Sequence, residues 1–426
     1  MEFWRKNLYS IWFAQFFAMI GMSMVIPFLP FYVRELGVTD PKEVEHWSGL
    51  VFAAPFILSF IFTPIWGSVG DKYGRKPMVL RACFGLAISQ LLIGLSANVY
   101  QLLVFRMVQG GVSGFIAASL ALVSASTPKE KSGYAIGILQ TSISAGTVIG
   151  PLIGGFLADI TSHRNVFFIT SVICLISGFM VWINVKEPVR EFKPAGFSLF
   201  KNVEYAFKNK KLILALTSIS LVTISISLAQ PIFALFIETF EIDFAYMGTI
   251  TGSIFGITGI FTVISSPWWG KRVDRKGYKK NILVAMSCAS AAYFLHNLVP
   301  IVYLLYPVRA FLGFCVGGLV PVFYSYISKN APEDRKGGMM GIASSFTLFG
   351  NMIGPLLCSA IVFKIHLHHI FWFSGAIMLI NTLYIYFKFT DYKTPIKDPD
   401  IHKVIPAANG TDDVKRIDEA LEKVDS

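Results

Sequence analysis

The chain has 426 residues, of which 54% are hydrophobic and only 15% are charged, and its formal net charge is +11. A soluble domain carries about 25% charged residues, so the composition excludes an ordinary soluble protein and favours one embedded in a lipid bilayer. The basic charge does not indicate a nucleic-acid partner, because 31 of the 37 Lys and Arg lie at the termini or in and beside loops on one predicted side of the membrane.

Twelve apolar stretches follow one another, each near the length of about 20 residues that a helix needs to cross the hydrocarbon core. Apolar runs this long favour helices over a transmembrane barrel, whose strands alternate between apolar and polar residues. The sequence therefore predicts an all-α membrane protein with twelve transmembrane helices in two pseudo-symmetric six-helix halves. The predicted spans are 8–33, 47–69, 78–97, 100–125, 134–158, 165–185, 212–237, 246–269, 281–299, 301–327, 338–363 and 369–388.

The predicted organisation is an N-terminal six-helix half (1–185), a part-helical linker (186–211), a C-terminal six-helix half (212–388) and a polar tail (389–426). Loops assigned to the outside carry few basic residues, so the positive-inside rule places both termini, the linker and the tail in the cytoplasm. The basic residues of the outside loops are Arg34, Lys42, Arg164 and Lys364.

Three motifs of the first half recur in the same order in the second half, roughly two hundred residues later, as expected for a chain of two homologous membrane halves. Such a chain is typical of a transporter whose substrate site lies between the halves. The recurring pairs are Gly67–Gly74 with Gly270–Gly277, Arg106–Gly110 with Arg309–Gly313, and Gly146–Pro151 with Gly350–Pro355.

The repeated loop between spans 2 and 3 is a candidate gate. Its sequence Gly67-Ser-Val-Gly-Asp71-Lys-Tyr-Gly74 places a carboxylate between glycines at the membrane edge, with Arg75 within reach as a partner. Basic residues that only fix topology would explain Arg75, but they would not explain an acid that recurs as Asp274. We therefore predict that Asp71, Arg75 and Asp274 take part in gating.

Arg106 lies within the fourth predicted span, where a charged side chain costs about 2.5–3.5 kcal/mol on insertion scales. It should contact a carboxylate, a carbonyl or water inside the bundle, unless it snorkels to the membrane surface. Gln109 and Gly110 one turn later, and the recurrence at Arg309, favour a gating or coupling role for Arg106 and Gln109. The second copy has Leu312 in place of the glutamine, so a weaker role is expected for Arg309.

Glycines at four-residue spacing in span 5 allow helices to approach closely, and the proline among them removes a backbone hydrogen bond and bends the helix. The pattern recurs in span 11. We predict hinge and packing roles for Gly146, Gly150, Pro151, Gly154, Gly354 and Pro355.

Few polar side chains lie within the spans, and span 1 carries a run of methionines. A cavity lined by such residues would suit amphipathic or apolar substrates, because Met adapts to many ligand shapes. Packing in the core is the alternative for each of them. The candidate cavity residues are Gln15, Met19, Met22, Gln140, Gln230, Tyr324 and Asn351.

The chain has no Walker A, HExxH or GxSxG sequence, so neither an enzyme nor a cofactor is expected. His366, His368 and His369 favour a solvated loop over a metal site, and the five cysteines, all within spans, favour buried apolar positions. Because no nucleotide-binding motif is present, uphill transport would draw on an ion gradient.

Three elements resemble the signature sequences of the major facilitator superfamily: Gly67–Lys76, Arg106-x-x-Gln109-Gly110 and Gly146–Gly155. The third resembles an element of the twelve-span drug:proton antiporters. Pro27-Phe-Leu-Pro30-Phe-Tyr32 and Trp47-Ser48-Gly49 are similar to bacterial exporters tied to fosfomycin and deoxycholate resistance.

The resemblance implies a bacterial inner-membrane protein in which Asp71 belongs to a charge network that closes the cytoplasmic side. It also implies that Arg106 lies near the coupling machinery and that the glycine–proline helix is a hinge. Several antiporters of this family carry a proton-accepting acid in the middle of span 1 or span 4, and this chain has none. The acids nearest the membrane are Asp71, Asp159, Glu238 and Asp274, all near span ends.

These observations predict a secondary transporter that works by alternating access, exchanges small amphipathic compounds for protons, and acts as a monomer in the bilayer. Two alternatives remain open. One is an importer or exporter of a single metabolite, such as a siderophore or a nutrient. The other is a transporter-like sensor that does not transport, for which a large regulatory domain would be expected.

Overall fold

We describe the fold from a computed structural model of the chain, which covers residues 2–187, 199–240, 246–332 and 335–389. Residues 188–198 of the predicted linker, the predicted tail after Phe389, and most of the stretch between the seventh and eighth predicted spans lie outside the described residues. So do the side chains of Asp71, Lys129, Leu199 and Phe200.

Within these ranges the chain forms seventeen α-helices joined by short turns. They are α1 (Phe3–Met24), α2 (Leu29–Glu35), α3 (Pro41–Tyr73), α4 (Arg75–Gly94), α5 (Val99–Gly111), α6 (Phe115–Ser126), α7 (Ser132–Ile160), α8 (His163–Asn184), α9 (Leu199–Lys208), α10 (Lys210–Leu228), α11 (Phe233–Glu238), α12 (Met247–Lys276), α13 (Tyr278–Leu295), α14 (Leu305–Val316), α15 (Leu319–Asn330), α16 (Lys336–Ile361) and α17 (His369–Lys388).

Local sequence sets the helix boundaries. Asp40 precedes Pro41, and its carboxylate accepts the Glu43 N–H at 2.9 Å, so α3 begins with a side-chain cap and a proline in the first turn. Gly74 and Gly277 end α3 and α12 with φ of 104° and 82°, a conformation that glycine adopts without strain. The glycine that closes each copy of the repeated loop is therefore required by the turn itself.

Four of the predicted spans consist of two helices each. Pro27 interrupts the first between α1 and α2, and Pro231 lies between α10 and α11 in the seventh. Gly114, with φ of 105°, separates α5 from α6, and Gly317 lies in the corresponding break between α14 and α15. The breaks fall at equivalent places in the two halves.

Eleven helical segments of the described chain are long and apolar enough to cross a membrane. The predicted ninth span corresponds to α13, which is not among the eleven because its first turn, Tyr278-Lys-Lys-Asn281, lowers its mean hydropathy. α13 packs against α14 and α17 as α4 packs against α5 and α8, so it occupies the place of a span in the second half. The predicted fold class is confirmed.

The two halves meet along two helix pairs. α7 packs on α1 within the first half and on α12 of the second half. In the equivalent arrangement, α16 packs on α10 within the second half and on α3 of the first. The two predicted hinge helices, α7 and α16, therefore contact both halves at once.

Candidate functional site

Contacts between the halves differ between the two ends of the bundle. We call the end with the α3–α4 turn the Gly74 end, and the end with the α2–α3 turn the Arg34 end. At the latter, Arg34 Nη1 and Nη2 donate to Glu238 Oε1 and Oε2 at 2.7 and 2.8 Å. The planar guanidinium thus makes a bidentate ion pair from α2 of the first half to α11 of the second.

Asp159 makes a second tie at the Arg34 end. It lies in the last turn of α7, and its Oδ1 accepts the Gly248 N–H at 2.8 Å. Its Oδ2 accepts the Thr249 N–H at 2.7 Å and the Thr249 hydroxyl at 2.6 Å. A carboxylate of the first half therefore caps α12 of the second half, where an anion is favoured by the helix dipole and the free N–H groups.

A third tie joins the start of α3 to the end of α16 and to the turn that follows it. Lys42 Nζ donates to the carbonyl oxygen of Ile365 at 2.8 Å and lies 3.1 Å from Glu45 Oε2. His46 Nδ1 lies 2.8 Å from the carbonyl oxygen of Ser359 and 2.7 Å from its hydroxyl. Polar groups of both halves thus satisfy one another at this end.

Glycines let the backbones approach closely beside these ties. A Cβ at Gly155 would collide with the carbonyl of Gly248, and a Cβ at Gly252 with that of Pro151. On the other seam, a Cβ at Gly49 would lie 2.8 Å from the carbonyl oxygen of Pro355. The bundle is therefore closed at the Arg34 end by backbone contact as well as by ion pairs.

The glycines at the Gly74 end have a different environment. A Cβ built on any of six of them would meet no atom within 4 Å, so they face open space. The repeated loop and the first turns of α7 and α16 are therefore not in contact across the halves at these positions. The six are Gly67, Gly133, Gly137, Gly270, Gly337 and Gly341.

Arg75, a predicted gating residue, begins α4 beside a carboxylate that the sequence analysis missed. Glu187, after the end of α8, accepts the backbone N–H of Arg75 at 2.6 Å and that of Lys76 at 2.9 Å. Arg75 Nη1 donates to the carbonyl of Ala121 on α6 at 2.5 Å. The α3–α4 turn is thus fixed to α6 and to the start of the linker. Asp71 lies in the last turn of α3.

Asp274, the second-half counterpart of Asp71, lies in the last turns of α12. Its Oδ1 accepts a hydrogen bond from Lys329 Nζ of α15 at 3.1 Å, and 65% of its side chain is exposed. This ion pair lies within one half. The structure therefore places the repeated acid at the Gly74 end but does not bring it into a described contact with the first half.

Arg106 is buried, and its partner is a backbone carbonyl. Its Nε donates to the Val51 oxygen at 3.3 Å, and its Nη1 donates to Gln109 Oε1 at 2.9 Å. Pro55, four residues after Val51, has no N–H to complete that helical hydrogen bond. Arg106 satisfies the carbonyl that Pro55 leaves free, and Gly110 packs against the carbonyl of Pro55 itself.

Arg309 is also buried but is held differently. The position equivalent to Pro55 is Thr258, whose hydroxyl donates to the Ile254 carbonyl at 3.0 Å. The Arg309 Nε has no described hydrogen-bond partner, and its guanidinium carbon lies 3.4 Å from the centroid of the Phe233 ring. Snorkelling is therefore not how either arginine is accommodated.

The predicted hinge glycines lie against α1. A Cβ at Gly146 would lie 2.5 Å from that of Met19, and one at Gly150 would collide with the Ser23 hydroxyl. Gly154 meets the backbone of Met24 in the same way. In the second half, Gly350 and Gly354 pack against Thr223 and Ser227 of α10 in the same way, so close helix approach explains the spacing in both copies.

The seven candidate cavity residues do not share one environment. Gln15 is fully buried with no described partner for its amide, and Met19 is buried beside Gly146. Tyr324 places its hydroxyl 3.2 Å from that of Thr347. Gln140 is exposed, whereas Met22, Gln230 and Asn351 are half-buried. A role in substrate binding stays a prediction for all seven.

The three histidines near the start of α17 lie at the Arg34 end. The ring centroids of His366 and His369 are 5.9 Å apart, and His368 packs edge-on against Phe236 at 5.2 Å. Partial burial, together with the charges of its two neighbours, lowers the pKa of His368. In the described part of the chain, no group of three His, Cys, Asp or Glu is arranged to hold a metal ion.

Comparison with known families decides the class of this molecule. A sequence model described as Major Facilitator Superfamily matches residues 11–302 and 252–415. The chain belongs to the major facilitator superfamily. It is a multi-pass membrane transporter and not an enzyme.

Its relatives include proteins named Multidrug resistance protein MdtG. That of Yersinia enterocolitica is 34% identical over 90% of this chain and 93% of its own length. That of Salmonella typhimurium is 33% identical over 89% and 95%, respectively. The resemblance to bacterial drug-resistance exporters is thereby confirmed.

Solved structures agree on the fold. The nucleoside transporter NupG matches with a TM-score of 0.77 at 12% identity, over 90% of this chain and 99% of its own. A bacterial homologue of the human lysosomal transporter Spinster matches with a TM-score of 0.73 at 14% identity, over 91% and 97%.

Proposed function

We propose that this member of the superfamily exports small amphipathic compounds, in the manner that the name of its MdtG relatives indicates. The single observation that carries this proposal is the similarity to those exporters over about nine-tenths of the chain. The methionines of α1 support an apolar substrate class, because methionine side chains adapt to many ligand shapes. Met19 and Met24 are buried, and Met22 is half-buried.

Transport proceeds by alternating access between the two halves. The ties Arg34–Glu238, Asp159–Thr249 and Lys42–Ile365 close one end, while the glycines of the Gly74 end face open space. Closing the Gly74 end would bring those glycines together and would require the ties at the Arg34 end to break. The basic loops support a cytoplasmic Gly74 end, so the described state is open to the cytoplasm.

Export is coupled to proton entry, and a monomer is sufficient for it. Asp71 is the carboxylate predicted to change protonation at the cytoplasmic edge, while Arg106 and Gln109 form the buried polar contact between α5 and α3. A bacterial inner membrane, with both termini in the cytoplasm, is the corresponding location.

Transport by purified protein in proteoliposomes, with a panel of cationic and neutral amphipathic dyes, tests this function. Vesicles containing inverted protein and acidified inside should accumulate dye, and an uncoupler should abolish the accumulation. Protein-free vesicles control for partitioning of dye into lipid. Accumulation that survives collapse of the gradient would reject proton coupling. Transport of one polar metabolite, without accumulation of any dye, would favour the single-metabolite transporter.

A further inference from the structure

Glu45 is a buried carboxylate that lies between the first two predicted spans, 8–33 and 47–69. It lies in the second turn of α3, and its residue surface is only 8% exposed. Its described polar contact is with Lys42, whose Nζ lies 3.1 Å from Oε2. A buried carboxylate is stable in its ionised form only while a group of opposite charge or a hydrogen-bond donor stays close to it.

Lys42 connects this carboxylate to the other half of the protein. Besides Glu45, its ammonium group contacts the carbonyl oxygen of Ile365 at 2.8 Å, in the turn between α16 and α17. An ionised acceptor makes a stronger hydrogen bond to an ammonium than a neutral carbonyl does. Glu45 therefore fixes Lys42 in the position from which it reaches across the interface.

The titratable and charged groups around Glu45 come from several elements. Lys42 belongs to α3 and Asp40 caps it, whereas His366 belongs to the α16–α17 turn and Cys358 to α16. His46, the next residue of α3, is engaged with Ser359 of α16. On α2, which also packs on α3, Arg34 and Glu35 are paired with Glu238 and His163. Lys42 is the cation in direct contact with Glu45.

Two other carboxylates also tie the halves at this end, and each of them has more than one partner. Asp159 accepts three hydrogen bonds from Gly248 and Thr249. Glu238 is held by both nitrogens of the Arg34 fork. Glu45 has one described ionic partner, and that partner is itself the residue that makes the contact between halves.

We propose that a proton from the Arg34 side, taken up by Glu45, releases this end of the bundle through Lys42. The proton adds to the carboxylate, and no other covalent bond changes. The neutral acid no longer holds the ammonium group, and Lys42, whose side chain is 38% exposed, moves into water and leaves the Ile365 carbonyl. Loss of the proton restores the tie. Glu45 is thus a positioning residue. The proposal rests on alternating access between the two halves. Because Glu45 must lose its proton before the Arg34 end closes, this proton returns to the side from which it came, and Glu45 controls the opening of this end without carrying a proton across the membrane.

Distances between two spin labels across the Arg34 end test this inference in the full-length protein. Thr39 and Lys364 are exposed on opposite sides of the interface, so each is replaced by cysteine and labelled. In the parent protein, acid buffer should raise the ratio of separated to closed molecules by about fivefold or more, the lower range for coupling between sites. Glu45→Gln, which imitates the protonated acid, should give the separated state at every pH and remove the pH response.

Two control variants test whether the effect depends on the carboxylate at position 45. Glu43→Gln removes an exposed carboxylate two residues away and should behave as the parent, whereas Glu45→Asp should keep a pH response. A Glu45→Gln protein that still closes and still responds to acid would overturn the inference, as would a response abolished by His46→Asn but not by Glu45→Gln. The distances are measured without substrate or gradient. A failure of proton-driven dye export would therefore leave this test intact, and the reverse also holds.

Discussion

The Ser23 hydroxyl of α1 lies 2.9 Å from the carbonyl oxygen of Gly146 on α7 and 2.7 Å from that of Met19 in its own helix. The same arrangement recurs in the second half, where the Ser227 hydroxyl lies 3.1 Å from the carbonyl oxygen of Gly350 and 2.6 Å from that of Thr223. A serine can reach the neighbouring backbone only because the facing residue has no side chain. The two halves therefore share this contact between serine and backbone as well as the sequence repeat. A side chain added at the neighbouring glycines should disturb it.

Gly150→Ala should destabilise the described state. Its Cβ would collide with the Ser23 hydroxyl, and overpacking of this kind costs about 1–3 kcal/mol. Gly137→Ala is the matched control on the same helix, because open space surrounds it and alanine favours a helix by about 1 kcal/mol over glycine. Thermal unfolding in detergent should shift down for the first variant and not for the second. A decrease of equal size for both would contradict the packing.

Arg106→Lys should impair transport, because lysine lacks the planar group that reaches the Val51 carbonyl and Gln109 together. Arg309→Lys should be milder, since a lysine can keep a cation–π contact with Phe233. Pro55→Ala restores an N–H for Val51 and should reduce the cost of Arg106→Lys when the two are combined. Dye transport by the single and double variants, normalised to protein in the membrane, measures this dependence; strict additivity would argue against the shared carbonyl.

Exchange of charge tests the tie between Arg34 and Glu238. Arg34→Glu and Glu238→Arg each place like charges where the bidentate pair stands, and each should favour separation at this end. The double variant restores opposite charges and should recover most of the transport lost by either one. Because the pair is partly exposed, high salt should weaken the effect of the single variants. Double variants no better than the single ones would show that the pair is not a gate contact.

Asp71→Asn should reduce transport to below about a tenth while membrane insertion stays intact, since a change of about 1.4 kcal/mol in the balance between states is already tenfold. Asp274→Asn, which breaks only the exposed pair with Lys329, is the comparison in the second half and should have a smaller effect. Normal transport by Asp71→Asn at normal expression would indicate that the repeated loop only fixes the orientation of the chain in the membrane.

Labelling of single cysteines can determine which end of the bundle faces the cytoplasm. A cysteine at Thr39 should react with an impermeant thiol reagent from outside intact cells, and a cysteine at Lys201 of α9 should react only after the membrane is opened. External reaction at 201 would place the linker outside and reverse the assignment of the two ends.

The repeats, the spans and the family could be predicted because each depends on local patterns: apolar length, glycine spacing and the position of charge. Contacts between halves could not, because they join residues far apart in sequence. Glu187 illustrates the difference, since its sequence position gives no sign that it caps α4. The sequence did mark Arg34 and Lys42 as unusual, because they are two of the few basic residues on the predicted outside. The positive-inside rule does not explain why basic residues lie there. Glu45 had none, because an acid near a loop is ordinary.

Pro55 and Thr258 occupy the same place in the two repeats, yet they give the arginines opposite them different neighbours. One duplicated arginine completes the backbone of an adjacent helix, and the other lies on an aromatic ring. A change at position 55 should therefore affect Arg106, whereas among the described residues no hydrogen bond links position 258 to Arg309 in this way. The sequence repeat alone would assign the same role to both arginines. Their different neighbours give them different partners, and these partners decide what each arginine does.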